Sequence, residues 1–195
     1  MKREHSYRDF LFEHETDVHL AFYSAIGRVC VVWSNIEFQV DISTQSLYDV
    51  LGGNQLASSP PFSFDKKMDF WKDCFKKLPS LSNMTTATMP ESIAGLVSDL
   101  KKASNDRNIL MHTHWGSLHD SKPPQTLSGN SISPKKGTYF MKGTKIEFGR
   151  IMDFTGHLDN LNLRVLGVTL ILSQVRNRTI SPESPRLEFG PAKVS

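Results

Sequence analysis

Phe22-Tyr23-Ser24-Ala25-Ile26-Gly27-Arg28-Val29-Cys30-Val31-Val32-Trp33-Ser34-Asn35-Ile36-Glu37-Phe38-Gln39-Val40 places apolar residues at 22, 26, 29, 33, 36 and 40, and the pattern runs on to Leu47 and Leu51. Spacings of three and four follow the helical turn, so the stretch forms one long amphipathic helix with a stripe facing a core. Gly52-Gly53 follows, and glycine accepts the left-handed conformation that commonly ends a helix. A first helix of this kind predicts a mainly α fold, an antiparallel bundle of about four helices with a small β-hairpin inserted before the last.

Asn54 to Pro61 contains Ser-Ser-Pro-Pro and is loop. Ser63 is placed to cap a second helix with Asp65 in its first turn, and Phe64, Met68, Trp71, Phe75 and Leu78 form its stripe. Pro79 to Met89 reads as polar loop, and Pro90 opens a helix whose seam is Ile93, Leu96, Leu100, Ala103, Arg107, Leu110. His114 to Leu118 is expected to form a short strand pairing with Tyr139 to Glu147, with 119–137, rich in Ser, Pro, Gly and Lys, as a long flexible loop between them. The last helix, starting at Gly149 or Thr155 and reaching Arg176, is lined by Leu158, Leu161, Val165, Val168, Leu172 and Val175. Leu166, Leu170 and Ile171 widen that stripe enough to suggest a second subunit on its far side. The domain is expected over 1–178, with 179–195, which holds three prolines, as a flexible tail.

The chain has 195 residues, enough for one domain with its own core, and 38% hydrophobic against 22% charged residues argues against wholesale disorder. A net charge of +3 permits contact with phosphates without amounting to a nucleic-acid footprint. No apolar run approaches a membrane span and Met1 to Glu15 has no signal-peptide core, so a cytoplasmic protein is expected. Cys30 and Cys74 sit inside helical patterns and read as reduced core residues.

The chemically purposeful segment is Arg107-Asn108-Ile109-Leu110-Met111-His112. Arg107 takes a core-facing place, where an unpaired guanidinium costs roughly several kcal/mol and so needs a carboxylate, a backbone cluster or a phosphate before it. Glu37, one helix away, is the carboxylate candidate. On a straight helix residues 107 and 112 diverge by about 140° with about 7.5 Å of rise. Asn108 and His112, by contrast, share one polar face with Lys101 and Asn105. A distorted helix end or a second subunit is needed to bring Arg107 and His112 together.

Arg-Asn-x-x-x-His closing a helix, with Trp115-Gly116 just beyond, resembles the HEPN domain and its Arg-x(4–6)-His motif. Val32-Trp33-Ser34-Asn35-Ile36-Glu37 is similar to a Trp-x-x-x-Glu pattern on the first helix of some HEPN-like families, and Phe64-Asp65-Lys66-Lys67-Met68 falls where those families open a second helix. The resemblance covers roughly residues 20 to 175. It implies a metal-independent endoribonuclease without cofactor, often a toxin or antiviral defence effector, whose two protomers join their motifs at a homodimer interface. RNA is the implied substrate, and an antitoxin or defence-system protein an implied partner. By that resemblance Arg107 and His112 would be catalytic with Asn108 in support. Lys101, Asn105 and His114 would contact substrate, and Glu37 would orient the arginine.

The same residues admit plainer readings. Arg107 is then an ion-pair partner of Glu37, and His112 a surface histidine favoured by the helix dipole. His112, His114 and His119 lack the carboxylate or thiolate that would complete a zinc site, so no metal is expected. Lys66, Lys67, Lys76 and Lys77 read first as a solvated face, as do Lys135, Lys136 and Lys142. The alternative function is a non-catalytic helical module that binds RNA, a nucleotide or a protein.

Overall fold

The stripe that opens the sequence is buried along its length: Phe22, Val29, Trp33, Ile36, Val40 and Leu47 all lie in the core, on one side of a helix running Asp17–Asp49 (α1). The computed structural model describes residues 17–82, 93–119, 125–135 and 138–179. After α1 come a 3₁₀ turn at Gly53–Gln55, α2 (Phe64–Lys77), a short helical turn α3 (Pro79–Ser82) and α4 (Ile93–His112). Strands β1 (His114–His119), β2 (Thr126–Lys135) and β3 (Thr138–Glu147) then lead into α5 (Phe148–Thr179). The described chain is mainly helical with one small antiparallel sheet, and none of its helices is long and apolar enough to cross a membrane.

Gly52 adopts a φ of 89°, but it opens the 3₁₀ turn: α1 has already ended at Asp49, three residues before the glycine expected to end it. Gly53 beside it is required for space, since a Cβ there would stand 2.6 Å from the Leu47 carbonyl oxygen and from Phe70. Ser63 occupies the N-cap position of α2, but its side chain makes no capping hydrogen bond, so the expected cap is one of position only. The α2 stripe is buried at Met68, Trp71, Phe75 and Leu78 and partly at Phe64, and Trp71 Nε1 donates to the buried Thr44 Oγ1 at 2.9 Å, which satisfies an indole that burial would otherwise strand. Pro90, the stretch 83–92 and the tail 180–195 fall outside the described residues.

The helix directions depart from an all-antiparallel bundle. Contacts between α1 and α5 climb both helices in step: Phe22 with Phe148, Arg28 with Asp159, Gln39 with Asn162 and Ser43 with Thr169. The two long helices therefore run parallel. Contacts between α1 and α4 run the other way, Cys30 with Met111 and Trp33 with Arg107, so α4 is antiparallel to this pair. Arg164 of α5 closes the triangle, donating to Asp99 of α4 at 2.9 Å.

Parallel packing follows from the path between α4 and α5. The sheet has the order β1-β2-β3, with His114 opposite Asn130 and Asn130 opposite Gly143. This corrects two expectations: β1 pairs with β2 rather than with 139–147, and most of 119–137 is strand rather than long loop. Thr126-Leu127-Ser128-Gly129-Asn130-Ser131-Ile132-Ser133-Pro134 has weak strand propensity, and it is held by pairing on both sides near its start and by the wholly buried Leu127. Gly129 is required there, because a Cβ would fall 2.5 Å from Thr113 and 2.7 Å from the His114 carbonyl oxygen.

Both cysteines are free, Cys74 buried and Cys30 half-buried. Burial, helped by the Asp73 carboxylate and opposed by Lys77, pushes the Cys74 thiol from its ordinary 9.0 up to about 12. The thiolate is the reactive form, so iodoacetamide at pH 8 is expected to label Cys74 only after unfolding. A folded value above the unfolded one gives stability present below pH 9.0 and lost as pH rises towards about 12. That segment of alkaline destabilisation should be missing from urea titrations of Cys74→Ala, and an equal slope in the variant would contradict the assignment.

Candidate functional site

The apolar seam of α4 (Ile93, Leu96, Leu100, Ala103, Leu110) is buried against the bundle, and its periodicity carries Arg107 to the same side. The guanidinium lies over the buried Trp33 ring, with its carbon 6.0 Å from the centroid, at the outer reach of a cation–π contact. Its Nη1 donates to Asn108 Oδ1 at 3.0 Å, while its buried Nε has no acceptor. Among the described residues Arg107 forms no ion pair with Glu37, which corrects the plainer reading of that arginine. The consequence is electrostatic: an aromatic face holds the cation in place without neutralising it, as a carboxylate would.

Two side chains beyond α4 fix its last turn. Thr113 Oγ1 donates to the Ile109 carbonyl oxygen at 2.6 Å and Trp115 Nε1 to that of Leu110 at 2.8 Å. They satisfy carbonyls that a helix end leaves without partners and hold the backbone on which His112 stands. Cys30 Sγ and Met111 Sδ, 3.3 Å apart, pin the same turn to α1. Sequence reasoning gave Trp33 and Trp115 to the core and to a motif respectively. Their roles as a seat and a clamp depend on contacts across the bundle.

His112 is exposed at the end of α4 and shares its face with exposed Asn105, Asn108 and Ile109. Arg107 turns inward to α1, so the divergence expected from the spacing is what the fold shows. Within one chain the link between the two sides is the Arg107–Asn108 hydrogen bond. Lys101 belongs to the same stretch of α4, but its ammonium donates to Asp69 of α2 at 2.6 Å. His114 is exposed at the start of β1, and Glu37 is half-buried on α1. Among the described residues no group of three or more His, Cys, Asp and Glu side chains is placed to hold a metal ion.

A second surface lies across the bundle. Val31, Phe38 and Ile42 of α1 and Leu163, Leu166 and Leu170 of α5 are exposed apolar residues. Val31 is about 160° around α1 from Trp33, so this face points away from α4. The in-step pairing of the parallel helices brings both stripes to the same level and the same side. Leu166 and Leu170, expected to widen the stripe towards a second subunit, are exposed on the single chain.

Compared with protein-family models, curated proteins and solved structures, the chain matches none of them.

Proposed function

We propose that this protein is a metal-independent endoribonuclease of the HEPN type, acting as a homodimer, with Arg107 and His112 catalytic and Asn108 in support. The single observation that carries the reading is the Arg107 guanidinium, seated on Trp33 and without an ion-pair partner among the described residues, beside an exposed Asn108-to-His112 face. A planar cation of that kind grips phosphoryl oxygens through paired hydrogen bonds. In the reaction the 2′-oxygen of a ribose bonds to the adjacent phosphorus and the P–O5′ bond breaks. One His112 imidazole takes the hydroxyl proton, and the partner's His112, protonated, gives one to the departing oxygen. A twofold contact is required, since a chain offers one motif histidine and an isologous interface duplicates it. Exposed Ile109 on the same face supplies an apolar contact near such an axis. Asn105 and His114 flank the path of the strand, and Lys101 would have to leave Asp69 to join them. A toxin or defence role, with a neutralising or activating protein partner, belongs to the same proposal.

The test is cleavage of total RNA by purified protein in EDTA. Products ending in 2′,3′-cyclic phosphate are expected, and RNA left intact at micromolar protein would sink the reading.

The uncharged face on α1 and α5 favours a second reading, a helical interaction module whose partner is another copy of the chain. From Val31 to Ile42 the face runs about 17 Å along the helices and about 20 Å across them, enough for the apolar centre of an interface but not for the whole of the about 800 Å² per partner that a stable dimer buries. Phe38→Glu with Leu163→Glu should then convert a dimer to a monomer in light scattering. A dimer that survives this pair and is instead broken by Ile109→Glu would place the twofold at α4, as the nuclease requires.

A further inference from the structure

The outer face of the sheet carries a concavity of about 510 Å³ lined by His114, Ser128, Gly129, Asn130, Gly143, Thr144 and Lys145. Its chemistry follows from the register. Leu127 and Ile146 are paired and turned to the core, so their neighbours Ser128 and Lys145, also paired, face the other way. The row His114–Asn130–Gly143 shares that outer side. Gly143 adds no side chain, and even a Cβ there would meet nothing closer than Asn130 Oδ1 at 3.8 Å, which leaves the floor open.

The groups around this floor are an imidazole, an amide, an ammonium and a hydroxyl. Among the described residues no carboxylate lines it; the nearest on the same face of β3 is Glu147, two residues beyond Lys145 towards α5. Among the described residues neither Lys145 nor His114 takes part in an ion pair, and Ser128 Oγ is buried with no hydrogen-bond partner. Two nitrogenous groups able to carry positive charge, an unused hydroxyl donor and an amide around an open floor match the oxygens of a phosphate. The concavity also adjoins the motif, because His114 stands two residues after His112 with only buried Thr113 between.

We propose that His114, Ser128, Asn130 and Lys145 form a phosphate-binding subsite that takes a backbone phosphate of single-stranded RNA next to the one held at Arg107 and His112. The placement beside a scissile phosphate rests on the nuclease reading; the subsite itself does not. The experiment uses a fluorescent 2′-O-methyl oligoribonucleotide, which cannot undergo transphosphorylation, and follows binding to the full chain by anisotropy at several salt concentrations. Lys145→Ala is expected to weaken binding by about 3- to 10-fold and to reduce the slope of log affinity against log salt by about 0.7, the signature of one lost contact on a single strand. Gly143→Glu, which puts a carboxylate on the floor, is expected to weaken it further. Lys145 and Gly143 are exposed, and circular dichroism checks that both variants fold. Affinity and slope unchanged in both variants, or no binding by the wild-type chain, would overturn the proposal. Inorganic phosphate provides the second arm: amide shifts at Asn130 and Lys145 with oligonucleotide binding indifferent to Lys145→Ala would mean a free-phosphate site and would overturn the RNA form. Altered binding in a protein that cleaves nothing leaves the subsite standing and removes the nuclease, while cleavage with unaltered binding does the reverse.

Discussion

His112→Ala is expected to lower RNA cleavage by about 10²- to 10⁴-fold, the range lost when a positioned proton-transfer group is removed. The side chain stands exposed at the end of α4, and the backbone beneath it is held by Thr113 and Trp115 rather than by the imidazole. Stability should therefore stay within about 0.5 kcal/mol of wild type, as for exposed positions without structural partners. Initial rates on a defined RNA, with thermal melts as the folding control, read both quantities. Wild-type rates in the variant would end the catalytic assignment. Arg107 gives a less clean result, because it is half-buried over Trp33 and its removal alters packing as well as charge. Asn108→Ala isolates its polar contact, since Asn108 is exposed and accepts from the Arg107 guanidinium.

The largest effect on stability is expected at Trp33. Its ring is buried, packs against Phe64 at 5.0 Å between centroids and lies beneath Arg107. Trp33→Ala should cost about 3–5 kcal/mol, through lost transfer energy and the cavity left where α1, α2 and α4 meet. The same change unseats the guanidinium, so activity should fall even at temperatures where the variant is folded. Trp33→Phe tests the two effects apart. It keeps a ring for Phe64 and Arg107, and it removes an indole Nε1 that is buried without an acceptor, which offsets part of the lost volume. Urea unfolding should place Trp33→Phe well between wild type and Trp33→Ala. A midpoint for Trp33→Ala that implies less than about 1 kcal/mol would show the site is not a packed junction.

The helices were legible because their signal is local. The stripe from Phe22 to Leu51, the seam from Ile93 to Leu110 and the run from Leu158 to Val175 repeat at the helical period whatever packs on them, and all three are buried as their spacing required. Gly52 was legible as a left-handed residue, but it opens the 3₁₀ turn and α1 ends three residues earlier. The divergence of Arg107 and His112 also follows from helix geometry alone. β2 was not legible, because Ser, Gly, Asn and Pro in its sequence read as loop and the strand exists through its neighbours. Nor was the parallel course of α1 and α5, which depends on where the sheet returns the chain. The neighbour of Arg107 was likewise a tertiary matter: Glu37 and Trp33 lie one helical turn apart on α1, and sequence chemistry favoured the carboxylate. Packing chose the ring instead, leaving Arg107 without an ion pair among the described residues. Periodicity thus determined which face of each helix is buried, a property of a few neighbouring residues, while the directions of the helices, the third strand and the open charge were decided only by contacts between residues far apart in the chain.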